Sequence, residues 1–282
     1  MGTLYLVSTP LGNLEDITLR ALRVLRQVRL IAAEDTRRAR LLLRRYEIET
    51  PVTSYFEGNK LVKLNAVLEA LAAGDVALIS EAGTPGLSDP GYELVRAAIA
   101  SGYPVVPVPG PSAPIVALVA SGLPTDHFVF LGFLPRRAAQ RRALLERVRA
   151  LPWTLVAFEA PHRLAEALAD LASVLGEERA LVLCREMTKQ FEETWRGTIG
   201  QARARFANEA PRGEFTLVIA GAAPEGPWQP TEVRAALEER LAEGLSLAQA
   251  AQEVATLAGW SRKAVYRLAL GESSRSGPAD GG

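Results

Sequence analysis

Four short segments of this 282-residue chain combine glycine, proline, hydroxyls and carboxylates: Ser8-Thr-Pro-Leu-Gly-Asn13, Glu34-Asp-Thr-Arg37, Glu81-Ala-Gly-Thr-Pro-Gly-Leu-Ser-Asp-Pro-Gly91 and Pro109-Gly-Pro-Ser112. Glycine lets a ligand approach backbone N–H and C=O groups, and proline fixes a loop so that little ordering entropy is lost on binding. Such loops suit a polar ligand read by main chain. Taken singly each is also an ordinary turn, and Glu34-Asp-Thr-Arg37 equally suits capping a following helix. Other chemistries lack their residues. One cysteine, Cys184, and two histidines, His127 and His162, cannot assemble a disulfide framework or a Cys/His zinc site, and no metal is expected. No G-x-G-x-x-G follows the first apolar run and no G-x-x-x-x-G-K-[ST] occurs, which disfavours nicotinamide dehydrogenases and P-loop NTPases. Ser112 sits in Pro-Gly-Pro-Ser rather than G-x-S-x-G, which argues against a hydrolase triad. What remains is a cofactor carrying a reactive group to an acceptor, with the protein supplying orientation and electrostatics.

The elements that position these loops follow from hydrophobic patterning. Strand-like runs alternate with helical patterns: Thr3–Ser8 then 18–28, Arg29–Ala33 then 36–46, Asp75–Ser80 then 88–101, Tyr103–Val108 then 112–121, and a fifth strand at 128–131. That alternation predicts an α/β fold with a mostly parallel sheet covered on both faces. Each loop then falls at the carboxyl end of a strand, where open α/β sheets bind ligands. A second series follows Pro135: a basic helix to about 150, a strand at 153–158, a helix at 161–175, and strands at 179–184, 194–199 and 214–220, the last three predicting a mixed sheet. The expected domains are therefore 1–132 and 133–222. A Pro/Gly-rich linker at 221–230 leads to three helical patterns within 231–270, and a Ser/Gly tail at 271–282 is expected to be disordered.

Charge is balanced overall, with 32 Lys plus Arg against 32 Asp plus Glu. It is nonetheless segregated. Residues 17–46 hold nine arginines against Glu34 and Asp35, and residues 136–149 hold six against Glu146. Either run alone reads as a solvated helix face, but two in one neutral chain point to a polyanion such as nucleic acid. The charge-free stretch 97–125 contains six prolines, which rules out a continuous membrane helix. With no signal-peptide pattern at the start, a cytosolic protein without membrane attachment is expected.

Seven motifs occur in order: Val7–Asp16, Ala33-Glu-Asp-Thr-Arg37, Ser80–Gly91, Pro109-Gly-Pro-Ser-Ala113, Phe158-Glu-Ala-Pro-His-Arg163, Arg185-Glu-Met-Thr-Lys189 and Gly213-Glu-Phe-Thr-Leu-Val218. From Leu4 to Leu270 the chain resembles the bacterial 16S rRNA ribose 2′-O-methyltransferases of type I, in the tetrapyrrole methylase superfamily. The resemblance implies two α/β domains with an S-adenosylmethionine cleft between them and a small C-terminal helical segment. It further implies a homodimer, and methylation of a cytidine ribose in the decoding region of the small ribosomal subunit. By motif, cofactor contacts would come from Pro10, Gly12, Ser80, Glu81, Ala82, Gly83, Thr84, Leu87 and Ser112, with Phe158, Glu159, Met187, Glu214, Phe215 and Thr216 closing the site. The sequence departs from the family at Glu81, where Asp is usual, at Phe56, where Tyr-His is common, and at Gln190-Phe191.

Methyl transfer from a sulfonium to a hydroxyl is an in-line displacement in which the acceptor oxygen loses a proton. Alignment accounts for roughly 7 to 11 kcal/mol of barrier lowering, whereas one general base contributes about 10² to 10⁴-fold, so positioning outweighs proton abstraction. Base candidates are Glu34, Asp35, Glu186 and a Lys189 of lowered pKa, with Arg37 and Arg185 holding phosphate or a neighbouring carboxylate. Arg20, Arg38, Arg136, Arg137, Arg141, Arg142 and Arg147 are the candidates for gripping RNA backbone. The last helices, with Ser261-Arg-Lys-Ala-Val-Tyr-Arg267, resemble a helix-turn-helix or form a plain cap. Two other functions stay open: a methyltransferase acting on a tetrapyrrole, since the cofactor loops are shared across the superfamily, and a non-catalytic nucleic-acid-binding regulator.

Overall fold

The computed structural model describes residues 2–207, 211–223 and 228–270, so the 271–282 tail lies outside them. The first half runs β1 (Leu4–Val7), α1 (Leu19–Gln27), β2 (Leu30–Ala33), α2 (Thr36–Arg45), β3 (Val52–Ser54), α3 (Lys60–Ala73), β4 (Val76–Ile79), α4 (Tyr92–Ala100), β5 (Val105–Val108) and α5 (Ala113–Ser121). Its five strands form one parallel sheet in the order β3-β2-β4-β1-β5. Side chains alternate across it, as strand geometry requires. Val7, Ile31, Ala33, Ala77 and Ile79 pack under α1 and α2, while Leu4, Ala32, Val76 and Leu78 pack under α3 and α4. Both faces are thereby covered.

Local signals set the helix ends. The Thr18 hydroxyl accepts from the Ala21 N–H (3.0 Å) to open α1. Asp35 accepts from the N–H groups of Arg37 (2.7 Å) and Arg38 (3.2 Å) to open α2. α4 starts at Tyr92 rather than near 88 because Ser88 and Gly91 have positive φ (67° and 151°) with Pro90 between them. The strand β3 and the helix α3 lie where no element is expected: β3 has three half-buried edge residues, and α3 exposes Leu61 and Val62 while burying Val67 and Leu71, which blurs the apolar stripe.

The second series is β6 (Phe128–Phe133), α6 (Ala138–Val148), β7 (Thr154–Glu159), α7 (Leu164–Leu175), β8 (Ala180–Arg185), β9 (Glu193–Thr198), α8 (Ile199–Phe206) and β10 (Phe215–Ile219). The sheet is mixed, in the order β6-β7-β10-β8-β9, with β6 and β7 parallel and the other pairs antiparallel. Two corrections follow. β6, expected to close the first sheet, pairs with β7 instead, so the sheets divide before residue 128 and not after 132. α5, expected over the first sheet, packs Ala117 and Leu118 on Val156, Val182 and Val218 of the second. Both sheets lie in one compact unit, Met1–Arg149 with Trp153–Ala220; the other unit is Ala150–Pro152 with Gly221 onward.

That second unit contains α9 (Pro230–Ala242), α10 (Leu247–Ala258) and α11 (Arg262–Ala269), matching the three helical patterns. Val233, Leu237, Ala251, Val254, Val265 and Leu268 form its core, and the Trp260 indole N–H donates to the Trp228 carbonyl (2.8 Å). Among the described residues no helix is long and apolar enough to cross a membrane.

Arg141, expected to face RNA, is 1% exposed. It sits on the inner face of α6, donating through Nε to Asp170 Oδ2 at 2.7 Å and through Nη1 to the Pro135 carbonyl at 3.2 Å. Arg142 also reaches Asp170 (3.0 Å) but stays half-exposed. Asp170 on α7 thus ties two helices together. Arg141→Ala leaves that carboxylate buried without its main partner, so urea unfolding will show a loss of about 3 to 5 kcal/mol.

Candidate active site

In the parallel sheet the chain leaves β1 for β2 on one side and β4 for β5 on the other, so the crevice between β1 and β4 is the switch point at which α/β sheets bind ligands. Both loops there are fixed by the chain itself. Thr9 and Gly83 exchange backbone hydrogen bonds of 2.9 and 3.0 Å. The Ser8 hydroxyl lies 3.1 Å from that of Thr84, which donates to the Pro111 carbonyl at 3.1 Å and so ties in the third loop. Gly83 has φ +79°, and a Cβ on Gly110 would lie 2.9 Å from that of Ser8. The Ser80 hydroxyl donates to the Ala82 carbonyl (3.2 Å), and Leu87 closes a turn onto Thr84 (3.4 Å). Ser112 precedes α5 without using its side chain as a cap. The Thr9 hydroxyl, in a residue 3% exposed, has no partner among the described residues.

The second sheet contributes one edge. The antiparallel register sets Glu159 at the end of β7, Phe215 at the start of β10 and Arg185 at the end of β8 side by side. Phe158 packs edge-on against Phe130 (5.1 Å), and Met187 packs on the apolar cluster under α5. Phe215 and Thr216 are buried. Glu159 is buried too, accepting from the Ala160 N–H (2.8 Å) and pairing with Arg163 (3.0 Å). Burial pushes its carboxyl up and these partners offset part of the rise. The two sheet ends meet at Gly12: the Asn13 N–H donates to the Thr188 hydroxyl (3.2 Å), and a Cβ on Gly12 would collide with Lys189 Cγ. Glu186 and Thr188 hold positive φ (49° and 65°) in making this turn.

The base candidates separate by environment. Asp35 is occupied in capping α2 and pairing with Arg37 (3.1 Å), and the Arg37 side chain together with the cap N–H groups lowers its carboxyl to about 2. Its role in place is structural. Lys189 donates to Glu186 (3.1 Å) and Glu214 (2.8 Å). Burial alone would lower its pKa, but those carboxylates outweigh it and hold the ammonium above the ordinary value, so the expected lysine of lowered pKa is not found. The Glu214 N–H and Lys189 keep Glu186 low against its burial. Glu34 is different: burial raises it, as do Glu81 and Asp35, although its carboxylate accepts from the Glu81 N–H (3.0 Å).

Asp89, not singled out by the sequence, joins this group. Burial raises it to about 7, with Glu34 and Glu81 adding to the rise and the Ser80 hydroxyl opposing it. Its signal was its place in the Ser80–Gly91 motif. The clustering with Glu34 is invisible in spacing because it depends on β2 lying beside β4.

A cavity of about 270 Å³ opens between the β1 loop and α2; Thr9, Pro10, Gly12, Leu14, Leu41 and Leu42 contribute to its lining, with Arg38 and Glu81 as its charged residues. Arg38 and Glu81 pair at 2.9 Å. Of the other expected RNA contacts, Arg20, Arg136, Arg137 and Arg147 are exposed, Arg136 and Arg137 lying just before α6. Among the described residues no group of His, Cys, Asp or Glu is placed to hold a metal ion.

Residues 3–203 match the family model for Tetrapyrrole (Corrin/Porphyrin) Methylases, and residues 229–273 match an RsmI C-terminal HTH domain. Ribosomal RNA small subunit methyltransferase I of Synechocystis sp. is 46% identical, covering 96% of this chain and 98% of its own. That of Pseudomonas aeruginosa is 47% identical over 98% and 99%. Among solved structures, uroporphyrin-III C-methyltransferase from Thermus thermophilus complexed with S-adenosyl homocysteine shares the fold at 20% identity and a TM-score of 0.56, covering 77% of this chain and 97% of that one. Diphthine synthase does so at 12% identity and a TM-score of 0.63, over 78% and 90%. The chain belongs to the tetrapyrrole methylase family, in the group of ribosomal RNA small subunit methyltransferase I.

Proposed function

We propose that this chain transfers a methyl group from S-adenosylmethionine to the 2′-hydroxyl of a cytidine in the decoding region of 16S rRNA, on the small ribosomal subunit. The carrying observation is the extent of the likeness: the Synechocystis and Pseudomonas rRNA methyltransferases match over 96% and 98% of the chain, whereas the uroporphyrin enzyme covers 77%. A cytosolic location follows from that acceptor. A homodimer belongs to the same reading, supported by Ile115, Val116 and Val119, which α5 leaves exposed.

The residues present fit the cofactor. Main chain dominates the Pro10–Gly12 and Ser80–Thr84 loops, the Thr9 hydroxyl is buried without a partner among the described residues, and the Ser112 hydroxyl is not used as a cap. Leu87, Phe158, Glu159, Met187 and the 214–216 segment complete the set. When bound, S-adenosylmethionine supplies an electrophilic methyl group. The protein's share is alignment, for which loops locked to one another are suited. Burial raises the carboxyls of Glu34 and Asp89, that of Asp89 to about 7, which suits them to receive the proton that the ribose hydroxyl loses.

With labelled S-adenosylmethionine and 30S subunits, the purified chain will yield 2′-O-methylcytidine on nucleoside analysis. Label on a uroporphyrinogen-type acceptor instead would establish the tetrapyrrole function, and binding without transfer to any RNA the regulatory one.

Arg136, Arg137 and Arg147 replaced together by Ala will weaken RNA affinity and shrink its salt slope by roughly 0.7 to 0.9 for each phosphate no longer gripped. Unchanged affinity and slope would remove these side chains from the interface.

Asp89 gives a pH signature. Because its folded value, about 7, lies above the ordinary 3.8, it favours the fold at low pH, and that contribution is lost as pH rises through 7. Asp89→Asn will therefore gain in Tm relative to the parent as pH goes from about 4 to about 7; parallel curves would show that Asp89 is not shifted.

A further inference from the structure

We propose that the cavity between the β1 loop and α2 receives the base of the acceptor nucleotide, and that the Arg38–Glu81 pair reads its edge. The inference rests on the rRNA function proposed above and specifies its site. Pro10, Leu14, Leu41 and Leu42 give the cavity apolar walls, suited to the faces of a flat ring. At about 270 Å³ it falls below the roughly 300 to 1,000 Å³ of pockets that bury drug-sized ligands, which favours a single ring over a larger macrocycle.

The cavity shares Pro10, Gly12, Ser80 and Glu81 with the expected cofactor set and extends beyond it along α2, through Arg38, Leu41 and Leu42. Leu87, Ser112 and the second-sheet residues do not line it; α2 does. That helix also carries exposed Arg37, Arg40, Arg44 and Arg45. A strand whose phosphates follow those arginines can turn one nucleotide's base out of its stack into the cavity, at the cost of unstacking it. The sugar of that nucleotide would then lie at the loop that the cofactor also meets.

The charged pair supplies the selectivity. A carboxylate accepts from an exocyclic amine, and a guanidinium donates to ring nitrogen or carbonyl oxygen. Cytosine presents its N4 amine next to the N3 acceptor, so Glu81 takes the first and Arg38 the second. Uracil places O4 where that amine would be and turns a carbonyl oxygen toward Glu81. Neither side chain must leave a buried position, since Arg38 and Glu81 are both exposed.

The test begins by mapping the methylated position with the parent chain and reconstituting 30S subunits carrying cytidine or uridine there. The parent will prefer cytidine by about 5- to 150-fold, the range for one well-placed base contact. Arg38→Ala, which removes the donor to N3 and stands outside the expected cofactor set, will lose most of that preference, while its affinity for S-adenosylhomocysteine, measured by calorimetry, stays at the parent's value. Leu41→Trp, which fills the cavity mouth from an exposed position, will lower transfer with the same calorimetric result. The proposal is overturned if Arg38→Ala keeps the parent's preference, or if either variant loses S-adenosylhomocysteine binding in step with transfer, which would make the cavity part of the cofactor site. A parent that methylates no subunit at all fails one level lower, at the rRNA function, and removes this inference with it.

Discussion

The reciprocal backbone bonds between Thr9 and Gly83 hold the site together. They join the loops after β1 and β4 across the crevice where the strand order reverses, and the Ser8–Thr84–Pro111 chain extends the tie to the loop before α5. Each hydrogen bond is worth only about 0.5 to 1.5 kcal/mol net, against roughly 1 to 2 kcal/mol for ordering each residue of backbone. Hydrogen bonds alone do not fix such loops. Pro10, Pro85, Pro90, Pro109 and Pro111 restrict the unfolded chain at the same places, so less freedom is left to lose. Gly83 completes the device, because its φ of +79° is one that a residue with a Cβ adopts only under strain.

The two sheets reach a common site by different means. In the parallel sheet every carboxyl end falls on one side, and function collects in the connections. The second sheet is mostly antiparallel, so strand ends alternate; the site uses the edge where β7 and β8 finish and β10 begins, with Glu159, Phe215 and Arg185 abreast. At Gly12 the β1 loop meets the turn that follows β8. The glycine's missing side chain lets Lys189 lie against the β1 loop, and Lys189 is held there by Glu186 and Glu214. A lysine so paired is a fixed cation, and that is why its ammonium is stabilised and not poised to lose a proton.

The parallel sheet was legible because its strands are short apolar runs followed by amphipathic helices, and the loops of the candidate site stood out because proline and glycine mark them. The four-residue strands gave up their positions readily; their membership did not follow. β6 reads as one more strand in an alternating series, and only its pairing with β7 shows that it opens the second sheet. α3 and β3 escaped notice because their apolar residues are not confined to one face. Asp89 escaped for another reason: its environment is made by Glu81 in its own loop and by Glu34 in the loop after β2, and proximity across a sheet leaves no trace in spacing. Asp35 shows the opposite case, where one motif suited both catalysis and capping, and geometry assigns the carboxylate to the cap.

Arginine illustrates how far a count of charges can be trusted. Two basic runs point to a polyanion, and most of their guanidinium groups do face solvent. Arg141 does not, since the inner face of α6 carries it to Asp170, where desolvation is tolerable only because donor and acceptor are satisfied together. Arg38 occupies a third situation, exposed but paired with Glu81 at a cavity mouth. An exposed pair of this kind adds little to stability, so the fold has little need of it. What distinguishes Arg38 from the arginines around it is therefore position: it alone in its run lines the cavity beside the β1 loop, where a nucleotide held by its neighbours would have to present its base.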